Sequence, residues 1–143
     1  MTTREKNLVR DSFLVLREDA GGLALLFYGK LFALEPKIRP MFRGDIERQG
    51  MKLMSMLTAV VESLDRFESL IPVLHAMGQR HTAYGVLPRH YEVVEQALAW
   101  AFGQALEVDS GTEVLWAWRK LVREVSDVMQ VGAEELTQAR ARG

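Results

Sequence analysis

Residues 70–86 read LIPVLHAMGQRHTAYGV and place a histidine at the end of an apolar helical pattern. Leu74, Met77 and His81 follow one another at spacings of three and four residues, so they share one face of a helix. A Tyr-Gly-Val-Leu-Pro sequence then breaks the pattern, because glycine and proline punctuate helices. We therefore predict a helix from about Glu68 to His81, with the imidazole directed at the protein interior.

Helical periodicity extends through the rest of the chain, and strand-like alternation of apolar and polar residues is absent. Capping-box spacings mark the starts of the first and last helices, and prolines fit the first positions of two other helical segments. The sequence predicts six or seven helices: one from Thr2, one from about Gly22 to Leu34, a turn at Pro36, one from Ile46 to Leu64, the one ending at His81, one from Pro88 to Leu106, and a last one after Ser110-x-x-Glu113.

Composition bounds the class of protein. The 143 residues are enough for one all-α domain, spanning positions 1–143, with a real core. The net charge is -1, and acidic and basic residues are interspersed along the chain, which argues against a nucleic-acid-binding surface. There is no cysteine, which excludes thiolate chemistry and covalent haem attachment through cysteines. The sequence has neither a signal-like N-terminus nor an apolar run long enough for a membrane span, so we expect a cytoplasmic protein.

By spacing alone, His81 has two interpretations. The commoner one is a core histidine whose ring nitrogens are satisfied by backbone carbonyls. The other is a metal ligand, since neutral imidazole suits iron, copper and zinc. A closed zinc site needs roughly four ligands, and no cluster of ligand residues accompanies His81. A single histidine suffices for haem, which brings four nitrogens of its own.

Three further residues are candidates for a ligand site, although each is weak evidence on its own. Gln49 lies four residues before Leu53 on one helical face, although most glutamines are solvated surface amides. Tyr28 lies inside an apolar run, where a buried hydroxyl needs a partner. Phe42 lies in a polar corner, where it is either a plug over the core or part of a site.

Taken together and in order, these segments resemble bacterial single-domain globins, and they are similar to flavohaemoglobin globin domains and to neuroglobin. The resemblance is carried by LLFYGKLFALEP (25–36), MFRGDIERQGMKLM (41–54), LIPVLHAMGQRHTAYGV (70–86) and EVLWAWRKL (113–121). It implies a globin fold of six to eight helices that enclose a pocket for a non-covalent haem b.

The resemblance also implies a role for individual residues. His81 is the expected axial ligand of the iron, and Tyr28, Gln49 and Leu53 are expected on the distal side. Tyr91 and Glu135 match a pair that supports the proximal histidine, with Glu134 as a competitor. The residues expected to contact haem are Phe42, Leu53, Met77, Arg80, His81, Tyr84, Val86 and Tyr91. For the haem propionates, Arg80 and Lys52 are the expected charge partners, and Arg43 is a weaker candidate.

Three functions remain open at this point. The first is reversible binding of oxygen, nitric oxide or carbon monoxide, with Tyr28 and Gln49 as hydrogen-bond donors that slow oxygen release. The second is nitric oxide dioxygenase or related redox chemistry with a separate reductase, which the same donors would serve. The third is a haem-free helical sensor or interaction module, in which His81 is only core. We expect a monomer or a weak homodimer, and no bis-histidine haem, because the distal position holds Gln49.

Overall fold

The computed structural model describes residues 1–42 and 44–142. Over these residues the chain forms six α-helices and no strand. The helices are α1 (Thr3–Leu16), α2 (Ala20–Leu34), α3 (Ile46–Glu62), α4 (Ile71–Ala83), α5 (Pro88–Leu106) and α6 (Glu113–Arg142). Short 3₁₀ segments occupy Arg17–Asp19, Pro36–Met41 and Leu64–Leu70. The predicted all-α class is therefore confirmed, and Arg43 lies outside the described residues.

Local sequence signals fix several helix ends. The Thr2 hydroxyl accepts the backbone N–H of Glu5 (3.1 Å), and the Glu5 carboxylate accepts that of Thr2 (2.7 Å), so the predicted capping box is formed. Pro36 and Pro88 each begin their segments, as expected from the N–H that proline lacks. At α5, the His90 ring also accepts the backbone N–H of Leu87 (2.9 Å).

Three predicted boundaries were wrong. Helix α2 begins at Ala20 rather than near Gly22, because the Asp19 carboxylate accepts the N–H of Gly22 and caps the helix. The segment before Ile71 is a separate 3₁₀ stretch, not the first turns of α4. The Ser110 capping box is not formed in the described part of the chain, because α6 begins at Glu113 itself, and the Glu113 carboxylate pairs with Arg4.

The helices pack as a chain of neighbours around one apolar core. Helix α2 packs on α3 and α5, α5 packs on α6, and α6 packs on α1 and α4. The largest fully buried side chains include Trp118 and Phe102, whose rings lie 4.5 Å apart between centroids. Helix α3 packs mainly on α2, and α4 packs mainly on α6. Over the described residues, α3 and α4 are therefore not closely packed on each other.

No helix in the described ranges is long and apolar enough to cross a membrane.

Candidate functional site

His81 lies in the last turn of α4, half-buried, with its ring held in one orientation. Its Nδ1 is 2.7 Å from the carbonyl oxygen of Met77, one turn earlier. A carbonyl can only accept, so Nδ1 carries the proton and Nε2 keeps its lone pair. Nε2 forms no hydrogen bond with the described residues. The side chain therefore presents a free, neutral nitrogen donor, which is what an axial iron ligand requires.

The end of α4 explains the Tyr-Gly-Val signature. Gly85 adopts a left-handed conformation (φ 96°), which a residue without a Cβ accepts readily. The N–H of Val86 donates to the His81 carbonyl (3.0 Å), and that of Gly85 donates to the Thr82 carbonyl (3.0 Å). This is a Schellman motif, in which the chain folds back over the last helical turn. The motif ends α4 immediately after His81 and anchors Val86 to its backbone.

The surroundings of His81 favour the uncharged ring. Burial lowers the pKa of the imidazole from its ordinary value, and the neighbouring Arg80 guanidinium lowers it further. The hydrogen bond to the Met77 carbonyl acts in the opposite direction but does not reverse the shift. Neutral imidazole is the form that binds iron, so this environment is compatible with a ligand role.

Across the fold, the rings of Tyr28 and Phe42 are in contact. Their ring centroids are 5.4 Å apart with an edge-on geometry, and Phe32 packs against both. Tyr28 is buried, and burial raises the pKa of Tyr28 to about 12, so its phenol remains protonated. Its hydroxyl makes no hydrogen bond within residues 1–42 and 44–142, which leaves it available as a donor.

Gln49 is brought to the same region by a close helix crossing. It is half-buried in the first turn of α3, next to the buried Gly50. A Cβ added at Gly50 would lie 2.8 Å from the Cβ of Ala24 on α2, closer than real side chains allow. Ala24 is one turn before Tyr28, on the same helical face. The Gly50–Ala24 contact therefore holds the Gln49 turn beside the helix that carries Tyr28.

The residues predicted to contact haem fall into a half-buried group and an exposed group. Several apolar ones are half-buried and pack against the core while keeping some surface open, as walls of a crevice would: Phe42, Leu53, Met77 and Val86. Tyr84 is exposed, and so are the two described candidates for propionate partners, Arg80 and Lys52. The third candidate, Arg43, falls outside the described residues.

The structure does not join Tyr91 to Glu135. Tyr91 is buried, and its hydroxyl has no hydrogen-bond partner among the described residues. Glu135 and its competitor Glu134 are both exposed on α6. The ring of His81 is held by Met77 rather than by this pair. Support of His81 by Tyr91 and Glu135 therefore stays a prediction.

Sequence reasoning missed several residues that shape the site. Phe32 joins the Tyr28–Phe42 cluster, and its apolar helical spacing was the available signal. Gly78 and Gly132 allow α4 and α6 to approach closely, and no local pattern marked them.

Over the described ranges there is no group of three or more His, Cys, Asp or Glu residues able to hold a metal ion. The donor set thus fits a cofactor that needs one protein ligand, which is the case for haem.

Comparison with known proteins decides the family. The family model described as Globin matches residues 25–129, which is most of the chain. The chain belongs to the globin family. Globins bind haem, and the free Nε2 of His81, the protonated Tyr28 and the half-buried apolar walls all fit that group.

The relatives of this globin include proteins of two sizes. It is 24% identical over 131 residues to a flavohemoprotein of Halalkalibacterium halodurans, covering 90% of this chain but 32% of the relative. It is 29% identical over 113 residues to an uncharacterized globin-like protein of Aquifex aeolicus, covering 79% and 80% of the two chains. The chain thus spans about a third of the flavohemoprotein length.

Among solved structures, this globin is similar to one described as an engineered carbene transferase and a putative nitric oxide dioxygenase from Rhodothermus marinus. The TM-score is 0.86 at 26% identity, and the match covers 99% of each chain. The likeness extends over all six helices, so the globin fold predicted from the sequence is confirmed.

Proposed function

We propose that this globin binds haem b non-covalently through His81 and functions in reversible binding of oxygen, with nitric oxide and carbon monoxide as further ligands. The observation that carries the proposal is the His81 ring, with Nδ1 held by Met77 and Nε2 free. When bound, haem would supply an iron able to bind a diatomic gas.

The proximal residues keep the ligand nitrogen ready. The Met77 carbonyl holds the proton on Nδ1, which fixes the tautomer and the ring orientation. Burial keeps the ring neutral at physiological pH. The apolar residues Leu53, Met77 and Val86 exclude water, and covering their exposed parts would favour insertion of the cofactor by roughly 25 cal/mol per Å².

On the distal side, Tyr28 and Gln49 are the proposed hydrogen-bond donors to the gas ligand. Once haem is bound, the Tyr28 O–H and the Gln49 amide N–H would be the hydrogen-bond donors available to a polar gas ligand. In a dry pocket each such hydrogen bond contributes on the order of 1–2 kcal/mol. Because the pKa of Tyr28 is raised to about 12, the phenol donates over the whole physiological range of pH. Slow oxygen dissociation is therefore the expected property of this globin.

A second candidate function is nitric oxide dioxygenation. It is supported by the similarity to the Rhodothermus marinus structure and to flavohemoproteins, although the chain covers only about a third of the latter. In this function oxygen and nitric oxide would be converted to nitrate, with electrons from a separate reductase. The proposal places either activity in the cytoplasm, in a monomer or weak homodimer.

Titration with haem followed by gas exposure tests the proposal. Purified protein should take up haem stoichiometrically with a sharp Soret band, and the ferrous form should change spectrum reversibly with oxygen and with carbon monoxide. Consumption of nitric oxide with a supplied electron donor, at a rate above that of oxygenated protein without the donor, would favour the second function. A protein that takes up no haem would support the haem-free module instead.

A further inference from the structure

Helices α4 and α6 meet with no side chain between them at two points. A Cβ added at Gly78 would lie 2.7 Å from the carbonyl carbon of Met129, and one at Gly132 would lie 2.8 Å from the carbonyl carbon of His75. Real Cβ atoms essentially never approach other atoms within 3.0 Å. The neighbours are backbone atoms, so no flexible side chain can move aside. Both positions therefore require glycine for this approach.

The two contacts are reciprocal. His75 and Gly78 are three residues apart on α4, and Met129 and Gly132 are three residues apart on α6. Each helix places one glycine against a carbonyl of the other, in antiparallel order. Such close backbone approach allows Cα–H groups to contact carbonyl oxygens. Sliding or rotating either helix would disturb both contacts at once, so the crossing fixes the register of α4 on α6.

The fixed segment of α4 is the one that carries the site. Gly78 comes three residues before His81, and Met77, whose carbonyl holds the His81 ring, comes directly before Gly78. Gly132 is on the other helix, and its close neighbour is the backbone of His75. A change at Gly132 therefore acts first on α4, the helix that carries His81.

We infer that Gly78 and Gly132 are positioning residues that set where α4 holds His81, and hence the strength of the bond between His81 and the haem iron. The inference rests on the proposed function, because it needs haem bound through His81. It differs from a role in packing alone, which would change the stability of the fold and leave the iron–histidine bond unaltered.

The test uses the haem-loaded full chain with Gly132→Ala. The added methyl group pushes α4 from its position, so the iron–histidine stretching band of the ferrous protein, measured by resonance Raman spectroscopy, should shift to lower frequency. The matched control is Gly29→Ala on α2, where an added Cβ meets nothing within 4 Å. This control should leave the band where the wild-type protein has it.

A second arm separates positioning from other effects on the pocket. In His81→Gly protein supplied with free imidazole, the proximal ligand is no longer attached to α4. Adding Gly132→Ala to that protein should therefore leave the iron–imidazole band unshifted. If Gly132→Ala alone does not hold haem, the same substitution is made in a background carrying Gly21→Ala and Gly29→Ala, two helical positions with open space.

The outcomes are distinct. A Gly132→Ala protein that is less stable but has an unshifted band, in either background, overturns the inference. A shift that persists with free imidazole overturns it too. A wild-type chain without a Soret band refutes the proposed function, and the inference with it.

Discussion

The Nδ1 atom of His81 lies 2.7 Å from the carbonyl oxygen of Met77, one helical turn earlier. This contact bears on both interpretations of His81. A backbone carbonyl does satisfy one ring nitrogen, as in a core histidine. The other nitrogen has no hydrogen-bond partner in the described part of the chain, which is the arrangement of an axial ligand.

The first prediction concerns the distal donor. Tyr28→Phe removes the hydroxyl and keeps the ring contacts with Phe32 and Phe42. Loss of a hydrogen bond worth about 1–2 kcal/mol should raise the oxygen dissociation rate roughly five- to thirty-fold. Stopped-flow mixing of the oxygenated protein with an oxygen scavenger measures this rate.

Carbon monoxide is the control ligand for Tyr28→Phe. Its outer atom gains less negative charge and accepts a weaker hydrogen bond, so its dissociation rate should change less than that of oxygen. An unchanged oxygen rate would show that Tyr28 is only a core tyrosine.

The second prediction concerns the crossing of α2 and α3. Gly50→Ala places a methyl group against the Ala24 methyl group, and such overpacking should lower the free energy of unfolding by about 1–3 kcal/mol. Ala24→Gly removes the opposing methyl group, so the double variant should regain stability relative to Gly50→Ala. Urea unfolding of the wild-type protein, the two single variants and the double variant measures both effects. Equal losses in the single and double variants would exclude the contact as their cause.

The third prediction concerns acid stability at the start of α5. The neutral His90 ring accepts the Leu87 N–H, and protonation removes this acceptor. Burial lowers the pKa of His90, Arg89 lowers it further and Glu35 opposes the shift. Because the folded pKa is below the unfolded one, the stabilisation is present above about pH 6.5 and is lost as the pH falls through the folded pKa.

His90→Asn tests this pH dependence, since its amide oxygen accepts the same N–H without titrating. Between pH 7 and pH 5, the wild-type protein should lose about 1 kcal/mol more unfolding free energy than His90→Asn. Thermal or urea unfolding at the two pH values provides the comparison. Parallel losses in the two proteins would mean that His90 does not titrate against this bond.

Local signals made most of the fold predictable. The Thr2–Glu5 capping box, the prolines at helix starts and the glycine after His81 all act within one turn, so they can be found without knowledge of the tertiary structure. The Ser110–Glu113 signal failed because α6 begins at Glu113 itself, and a distant residue, Arg4, pairs with the glutamate that the capping box would use. Such competition depends on how the helices pack.

Candidate site residues could be named from the sequence where they follow an ordered pattern, and less so where the arrangement depends on packing. Tyr28 and Phe42 were each named from the sequence, whereas the contact between their rings is known only from the structure. The Gly78–Gly132 crossing has no sequence signature, because each glycine is isolated in its own helix. Glu135 lies far along a 30-residue helix and is exposed. Over that length, a small error in the assumed number of residues per turn changes which face a residue is predicted to occupy.

The most direct measurement of the central claim is the resonance Raman spectrum of the ferrous haem protein with His81→Ala. The account predicts an iron–histidine stretching band in the wild-type protein and in His75→Ala, a half-buried histidine on the same helix, and its loss in His81→Ala. Wild-type and His81→Ala proteins with the same band, or a wild-type protein without haem, would contradict the account.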